Sequence, residues 1–142
     1  MMRVVVTGAG SYIGTHIAAW LARFPERFDV READMRGDWN RDALSGCDAV
    51  IHVAGIAHQR ETEENRPLYD QVNRALAVEA AREAKARGAR QFVFFSSMSV
   101  YGLACGRITA DTQPAPVTGY GISKWRAEQE LAALFLGLFH HV

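Results

Sequence analysis

Eight residues near the start, Thr7-Gly8-Ala9-Gly10-Ser11-Tyr12-Ile13-Gly14, constrain this chain more than any other stretch. They follow a Val-rich run, Arg3 to Thr7, that reads as a buried strand. They open an apolar-periodic segment, Gly14 to Arg23, with Ile13, Ile17, Ala18 and Leu21 on one helical face and Pro25 beyond its end. A glycine-rich turn between a strand and a helix suits a pyrophosphate, because main-chain N–H groups at a helix N-terminus attract anions. Glycine lets the chain turn tightly and approach closely, which makes Gly8, Gly10 and Gly14 candidate contacts. The strict Gly-x-Gly-x-x-Gly spacing is not met, since three residues separate Gly10 from Gly14. Position strengthens the reading; the alternative is a tight turn that holds no ligand.

Asp34 closes a second strand, Phe28 to Ala33, 20 residues after Gly14. A carboxylate there accepts hydrogen bonds from the ribose hydroxyls of a dinucleotide and repels a 2′-phosphate, which favours NAD over NADP. Arg36 points the other way, since it could accommodate that phosphate. Asp29 lies at the wrong end of the strand.

The rest of the chain alternates. Asp38 to Leu44 reads as a short helix or turn, Asp48 to Ala54 as a third strand, and Gly55 to Pro67 as a polar loop whose charge run Glu61 to Arg66 faces solvent. Leu68 to Arg87 is strongly helical, with Tyr69, Val72, Leu76 and Ala80 on one face and Gly88 as its stop. Gln91 to Phe95 is a fourth strand. Ser96 to Pro116 is a loop long enough to suggest function. Tyr120 to about Leu138 is a last helix with an apolar stripe of Ile122, Trp125, Leu131, Leu134, Phe135 and Leu138. Strands alternating with helices predict an α/β, doubly wound parallel sheet. Such a fold usually has about six strands. Four are readable here, so residues 1–142 read as one dinucleotide-binding domain cut short before the last strands and a substrate-binding part.

Lys plus Arg (16) balances Asp plus Glu (16), which leaves no basic excess for nucleic acid or an anionic membrane. The apolar stretch Leu131 to Phe139 falls short of the roughly 18 residues that suggest a span. The start is too short and too soon broken by Thr7-Gly8 for a signal peptide. A cytoplasmic location without membrane attachment is expected. Cys47 and Cys105 form no spaced pair and read as two reduced thiols, with no metal site.

Tyr120 and Lys124 are four residues apart and share one helix face. A lysine ammonium beside a phenol stabilises the phenolate, and a tyrosine so tuned acts as acid or base near neutral pH. Ser97 stands at the carboxyl end of the fourth strand, the ligand-binding edge of such sheets. Tyr-x-x-x-Lys by itself arises easily by chance.

Taken together, these segments resemble the extended short-chain dehydrogenase/reductase family, in particular its NAD-dependent epimerase/dehydratase branch. The opening turn resembles Thr-Gly-x-x-Gly-x-x-Gly, with Ser11 in place of a middle glycine. Asp48 to Gly55 resembles the family strand ending in Ala-Ala or Ala-Gly beside the cofactor. Val72-Asn73 resembles its helix asparagine, Phe92 to Gly102 its Ser-Ser-x-x-Val-Tyr-Gly segment, and Tyr120-Gly121-Ile122-Ser123-Lys124 its Tyr-Gly-x-Ser-Lys. Family members are about twice this length or longer.

The resemblance implies roles. Tyr120 is the acid/base, Lys124 tunes it and bonds the nicotinamide ribose, and Ser97 orients the substrate oxygen. Gly8, Gly10, Ser11, Tyr12, Ile13, Gly14, Asp34, Met35, Ala54 and Gly55 surround NAD, together with Tyr120 and Lys124. Asn73 braces the site through buried hydrogen bonds. The substrate is a nucleotide sugar, with UDP-glucose 4-epimerase-like chemistry. A ketone reductase using NAD(P)H and an inactive NAD-binding fragment are the alternatives. The helices from Leu68 and from Tyr120 would pair across a homodimer axis. His52 reads as core, His16 as helix surface, and His58 and His140-His141 as loop and tail.

Overall fold

The computed structural model describes residues 1–57 and 60–135. His58, Leu138 and His140-His141 lie outside the described residues. Strands β1 (Met2–Thr7), β2 (Phe28–Ala33), β3 (Ala49–His52) and β4 (Gln91–Phe94) form one sheet in the order β2-β1-β3-β4. Every pairing is parallel. The register aligns Thr7 with Ala33 and His52, and His52 with Phe94. All four strands therefore end in one row, and the segments that follow them emerge along one edge.

Alternate residues of the strands feed two cores. Helix α1 (Tyr12–Leu21) covers one face, where Val4, Val6 and Ala18 are buried and Ile17, Leu21, Val30 and Ile51 are half-buried. The other face buries Val5, Val50 and Phe92 under two helical segments that run side by side in the same direction, with Asn73 against Ser123 and Arg74 against Glu130. The first begins as α2 (Arg66–Tyr69), passes through a π-helical stretch Asp70–Ala75, and continues as α3 (Leu76–Ala86). Pro67 sits in the first turn, where a missing N–H costs little. Ala77, Ala80, Ala81 and Ala84 are fully covered, and their small size lets α3 lie close to the sheet.

The second segment is α4 (Gly119–Leu134). Its buried side keeps Leu131 and, just beyond the helix, Phe135 of the stripe expected from periodicity, and departs from that stripe in the first two turns. Gly121, Ser123, Lys124, Ala127 and Leu131 face inward, while Ile122 and Trp125 are only half-buried. The cause is a close approach: a Cβ on Gly121 would lie 2.5 Å from the carbonyl oxygen of Ser99. Near Ser99 only small residues and one lysine fit, so Ile122 and Trp125 turn partly outward, while Leu131 and Phe135 farther along are buried in the core.

In a sheet of order 3-2-1-4-5-6 a further strand flanks β2. Among the described residues none does, and β2 is an edge. The alternation of Asp29, Arg31 and Glu32 with apolar residues fits that place, because charge on an edge strand discourages pairing with another chain. The segment after β2 holds only a 3-10 turn, Arg41–Leu44, and buries Met35, Trp39, Leu44 and Cys47 on the α3 side. No described helix is long and apolar enough to cross a membrane, and no His/Cys/Asp/Glu group among the described residues could hold a metal ion.

Candidate active site

The turn after β1 is shaped by two glycines in left-handed backbone, Gly8 (φ +83°) and Gly10 (φ +76°). Gly8 and Ala9 donate their N–H groups to the Ala33 carbonyl, at 3.0 and 3.2 Å, which ties the turn to the end of β2. A Cβ on Gly8 would stand 3.1 Å from the Ala54 nitrogen, so the turn touches the segment after β3. Gly14 is equally constrained: its Cβ would meet Ser11 Oγ at 2.8 Å and the Gly8 carbonyl at 2.9 Å. Ser11 caps α1 by accepting the Gly14 N–H at 3.1 Å. Thus the residue that breaks the three-glycine pattern supplies the helix cap. The outer side of the turn is open, for nothing lies within 4 Å of a Cβ on Gly10, and Tyr12 and Ile13 are exposed. An open, positive-φ turn leading into a helix N-terminus fits a dinucleotide pyrophosphate.

Asp34 follows Ala33 directly and holds Arg36 in a bidentate grip, with Nη2 to Oδ2 at 2.6 Å and Nε to Oδ1 at 2.9 Å. Hydrogen bonds from the Arg36 side chain, then from its main-chain N–H, lower the Asp34 pKa to about 2. Both residues of the pair stay solvent-accessible at the same sheet edge. Met35 is different: its side chain is buried in the core, so only its main chain is available to a ligand.

On the far side of β3 the site is built around α4. Thr118 caps the helix by accepting the Gly121 N–H at 3.0 Å, which sets Tyr120 in its first turn. Ser97 caps the 3-10 turn Met98–Tyr101 through Ser99, whose N–H it accepts at 3.1 Å. Ser97, Ser99, Thr118 and Tyr120 line one cleft of about 490 Å³ with Ala57, Glu61 and Tyr69. Tyr69 meets the Tyr120 ring edge-on at 6.2 Å. The structure thus brings Ser97 and Tyr120 to a common cavity.

Lys124 lies one turn along α4 and is 95% buried. Its ammonium donates to the Phe95 carbonyl at 2.7 Å and sits 4.7 Å from the Phe94 ring centre. Burial lowers its pKa to about 8, partly offset by the charge of Glu128. A Cβ on Gly55 would come within 3.5 Å of that ammonium and 2.9 Å of Asn73 Oδ1, so Gly55 leaves room for both. Asn73 is fully buried in the π-helical stretch. It accepts the Ile56 N–H at 2.8 Å and donates to the Ile56 carbonyl at 3.0 Å and to Ser123 Oγ at 3.3 Å. Ser123 in turn donates to the Tyr120 carbonyl at 2.8 Å. The bracing role expected of Asn73 is what these bonds provide, connecting the turn after β3 to the Tyr120 turn of α4.

Glu61 escaped the sequence reading, which set it in a solvated loop. Its carboxylate accepts the Gly119 N–H at 2.7 Å and pairs with Arg66 at 3.0 Å, so it holds the first turn of α4 and lines the cleft. Nothing in the spacing of a Glu/Arg-rich loop marks which acid reaches a helix 58 residues away.

A parallel sheet of order β2-β1-β3-β4 with a glycine-rich β1–α1 turn at its carboxyl edge defines an α/β protein of the dinucleotide-binding type. Residues 4–135 match the model of the NAD dependent epimerase/dehydratase family, and the chain belongs to that family. It is similar to a UDP-glucose 4-epimerase from Vibrio cholerae, at 31% identity over 92% of this chain and 46% of that one. It is also similar to a GDP-6-deoxy-D-mannose reductase from Pseudomonas aeruginosa, at 33% identity over 89% of this chain and 45% of that one. Among solved structures it superposes on MoeE5 in complex with UDP-glucose and NAD, with a TM-score of 0.83 and 28% identity over 93% of this chain and 48% of that one. The chain therefore spans about half the length of the relatives it matches.

Proposed function

We propose that this chain holds NAD on the turn from Gly8 to Gly14 and carries the proton-transfer groups of a nucleotide-sugar 4-epimerase or dehydratase. The observation that carries the reading is the shared cleft of Ser97 and Tyr120, one helical turn from a buried lysine and on the same sheet edge as the glycine turn. The pyrophosphate lies against Gly8, Gly10, Ser11, Tyr12, Ile13 and Gly14. Asp34 accepts from the adenosine ribose, Met35 offers its main chain, and Ala54 and Gly55 form the floor near the nicotinamide. NAD, when bound, supplies the acceptor for the hydride that leaves the sugar carbon.

Tyr120 takes the proton of the sugar hydroxyl in one direction and returns it in the other. Ser97 holds the same oxygen. Lys124 bonds the nicotinamide ribose, its ammonium held in place by the Phe95 carbonyl. MoeE5 bound to UDP-glucose and NAD supports a UDP-sugar as substrate. The test is incubation of the chain with NAD and UDP-glucose. Epimerisation to UDP-galactose without net consumption of cofactor, lost at least about 100-fold in Tyr120→Phe, is the expected result. No turnover in a chain that still binds NAD would reduce the reading to a binding fragment.

A reductase is the second reading, favoured by Arg36 beside Asp34 and by similarity to the mannose reductase. It requires stoichiometric oxidation of NAD(P)H, which a separate incubation with NAD(P)H and a 4-keto nucleotide sugar reports. The helical segments Arg66–Ala86 and Gly119–Leu134 are proposed to pair across a homodimer axis, with half-buried Ile122 and Trp125 available on α4. Light scattering that shows a monomer at micromolar concentration would remove the dimer from the account.

A further inference from the structure

His52 is fully buried at the end of β3, stacked on Phe92 and Phe94, and the chemistry above makes no use of it. Its Nδ1 lies 3.0 Å from Thr7 Oγ. Thr7 is itself fully buried and accepts two main-chain N–H groups, from Val53 at 3.1 Å and Ala54 at 3.2 Å. A hydroxyl has two lone pairs and one proton. With both lone pairs occupied, the proton of Thr7 is left to donate, and the only direction left to it is His52 Nδ1. That nitrogen must then be an unprotonated acceptor, and the ring proton must sit on Nε2. Among the described residues Nε2 has no hydrogen-bond partner.

We infer that His52 is a positioning residue for the cofactor floor: as a neutral Nε2–H tautomer it aims the Thr7 hydroxyl so that β1 clamps the Val53–Ala54 main chain. The clamp joins two segments that meet the same ligand in the function proposed above, on which this inference rests. Thr7 leads into Gly8, and Gly8 packs on Ala54 so closely that a Cβ would stand 3.1 Å from its nitrogen. If the hydroxyl turned away, both amides would lose a buried acceptor and the floor would shift relative to the glycine turn. An imidazolium would present an N–H to Thr7, leaving its hydroxyl proton without an acceptor. Burial, and after it the charge of Lys124, oppose that form and lower the His52 pKa to about 3.

Two measurements on the intact chain test this. Long-range 1H–15N NMR of the imidazole rings, assigned by loss of one signal set in His52→Asn, is expected to show the Nε2–H tautomer for His52 at pH 7. A Nδ1–H tautomer or a charged ring overturns the inference whether or not NAD binds. Calorimetry with NAD supplies the second arm. His52→Asn keeps an acceptor near the Nδ1 position and is expected to bind within about 3-fold of the parent. His52→Phe keeps the stacking but has no acceptor and is expected to bind about 10-fold more weakly, as is Thr7→Val, with no further loss in the double variant. Equal affinity of the Asn and Phe variants, or additive losses in the double variant, would overturn it. Should a variant fail to fold, the tautomer of the parent chain still decides. A parent chain with the expected tautomer and no NAD affinity would sink the cofactor reading while leaving the hydrogen-bond assignment in place.

Discussion

Lys124 is a charged group in an almost dry place, and its pKa makes a testable statement about stability. Unfolded, the ammonium titrates near its ordinary 10.5; folded, near about 8. Between those values the unfolded chain binds more protons, so stability rises with pH across that window. Lys124→Met is therefore expected to raise the melting temperature at pH 7, because it removes a buried charge worth about 3 kcal/mol, and to abolish turnover. Thermal unfolding from pH 7 to 10.5 checks the first, with the parent gaining stability relative to the variant as pH rises, and the epimerisation assay checks the second. Asp34 and Arg36 support a second prediction. Arg36→Ala frees Asp34 for ribose and removes the guanidinium paired with it. The ratio of NAD to NADP affinity is expected to rise about 10-fold by calorimetry; an unchanged ratio would show that the pair does not govern cofactor choice.

At the scale of elements, β1 was plain from local sequence, because the run Val4 to Val6 leads straight into Thr7-Gly8, while β2 was a weaker signal with Asp29, Arg31 and Glu32 among its apolar residues. Asp34 at the end of β2 and Tyr120 with Lys124 on one helix face were readable because local spacing fixes them. Three features were not. The π-helical stretch around Asn73 has no periodic signature over six residues. The buried side of the first two turns of α4 is decided by the nearness of Ser99, which only the folded chain reveals. Glu61 reaches Gly119 across a long sequence separation. The Asn73 bonds give an element-level prediction. Asn73→Leu is expected to cost roughly 2–4 kcal/mol, because it leaves the Ile56 N–H and carbonyl and the Ser123 hydroxyl poorly satisfied. It should also loosen the Tyr120 turn. Denaturant unfolding measures the first effect and hydrogen exchange at residues 120–124 the second. A loss under 0.5 kcal/mol would show that water replaces the side chain without penalty.

Across the whole molecule, the two edges of the sheet differ. β2 carries charge along its outer side, whereas β4 runs Gln91–Phe94 with Phe95 exposed just beyond it. The edge where all four strands end, by contrast, gathers the glycine turn, Asp34, Gly55 and Lys124, and in the function proposed above one dinucleotide spans them. The decisive measurement is a calorimetric titration of the folded chain with NAD, run beside Gly14→Ala, whose added methyl meets Ser11 Oγ and the Gly8 carbonyl. Saturable one-to-one binding by the parent, weakened about 10-fold or more in a Gly14→Ala chain that keeps its circular dichroism, is what the account predicts. A folded parent that takes up neither NAD nor NADP at millimolar concentration would contradict it.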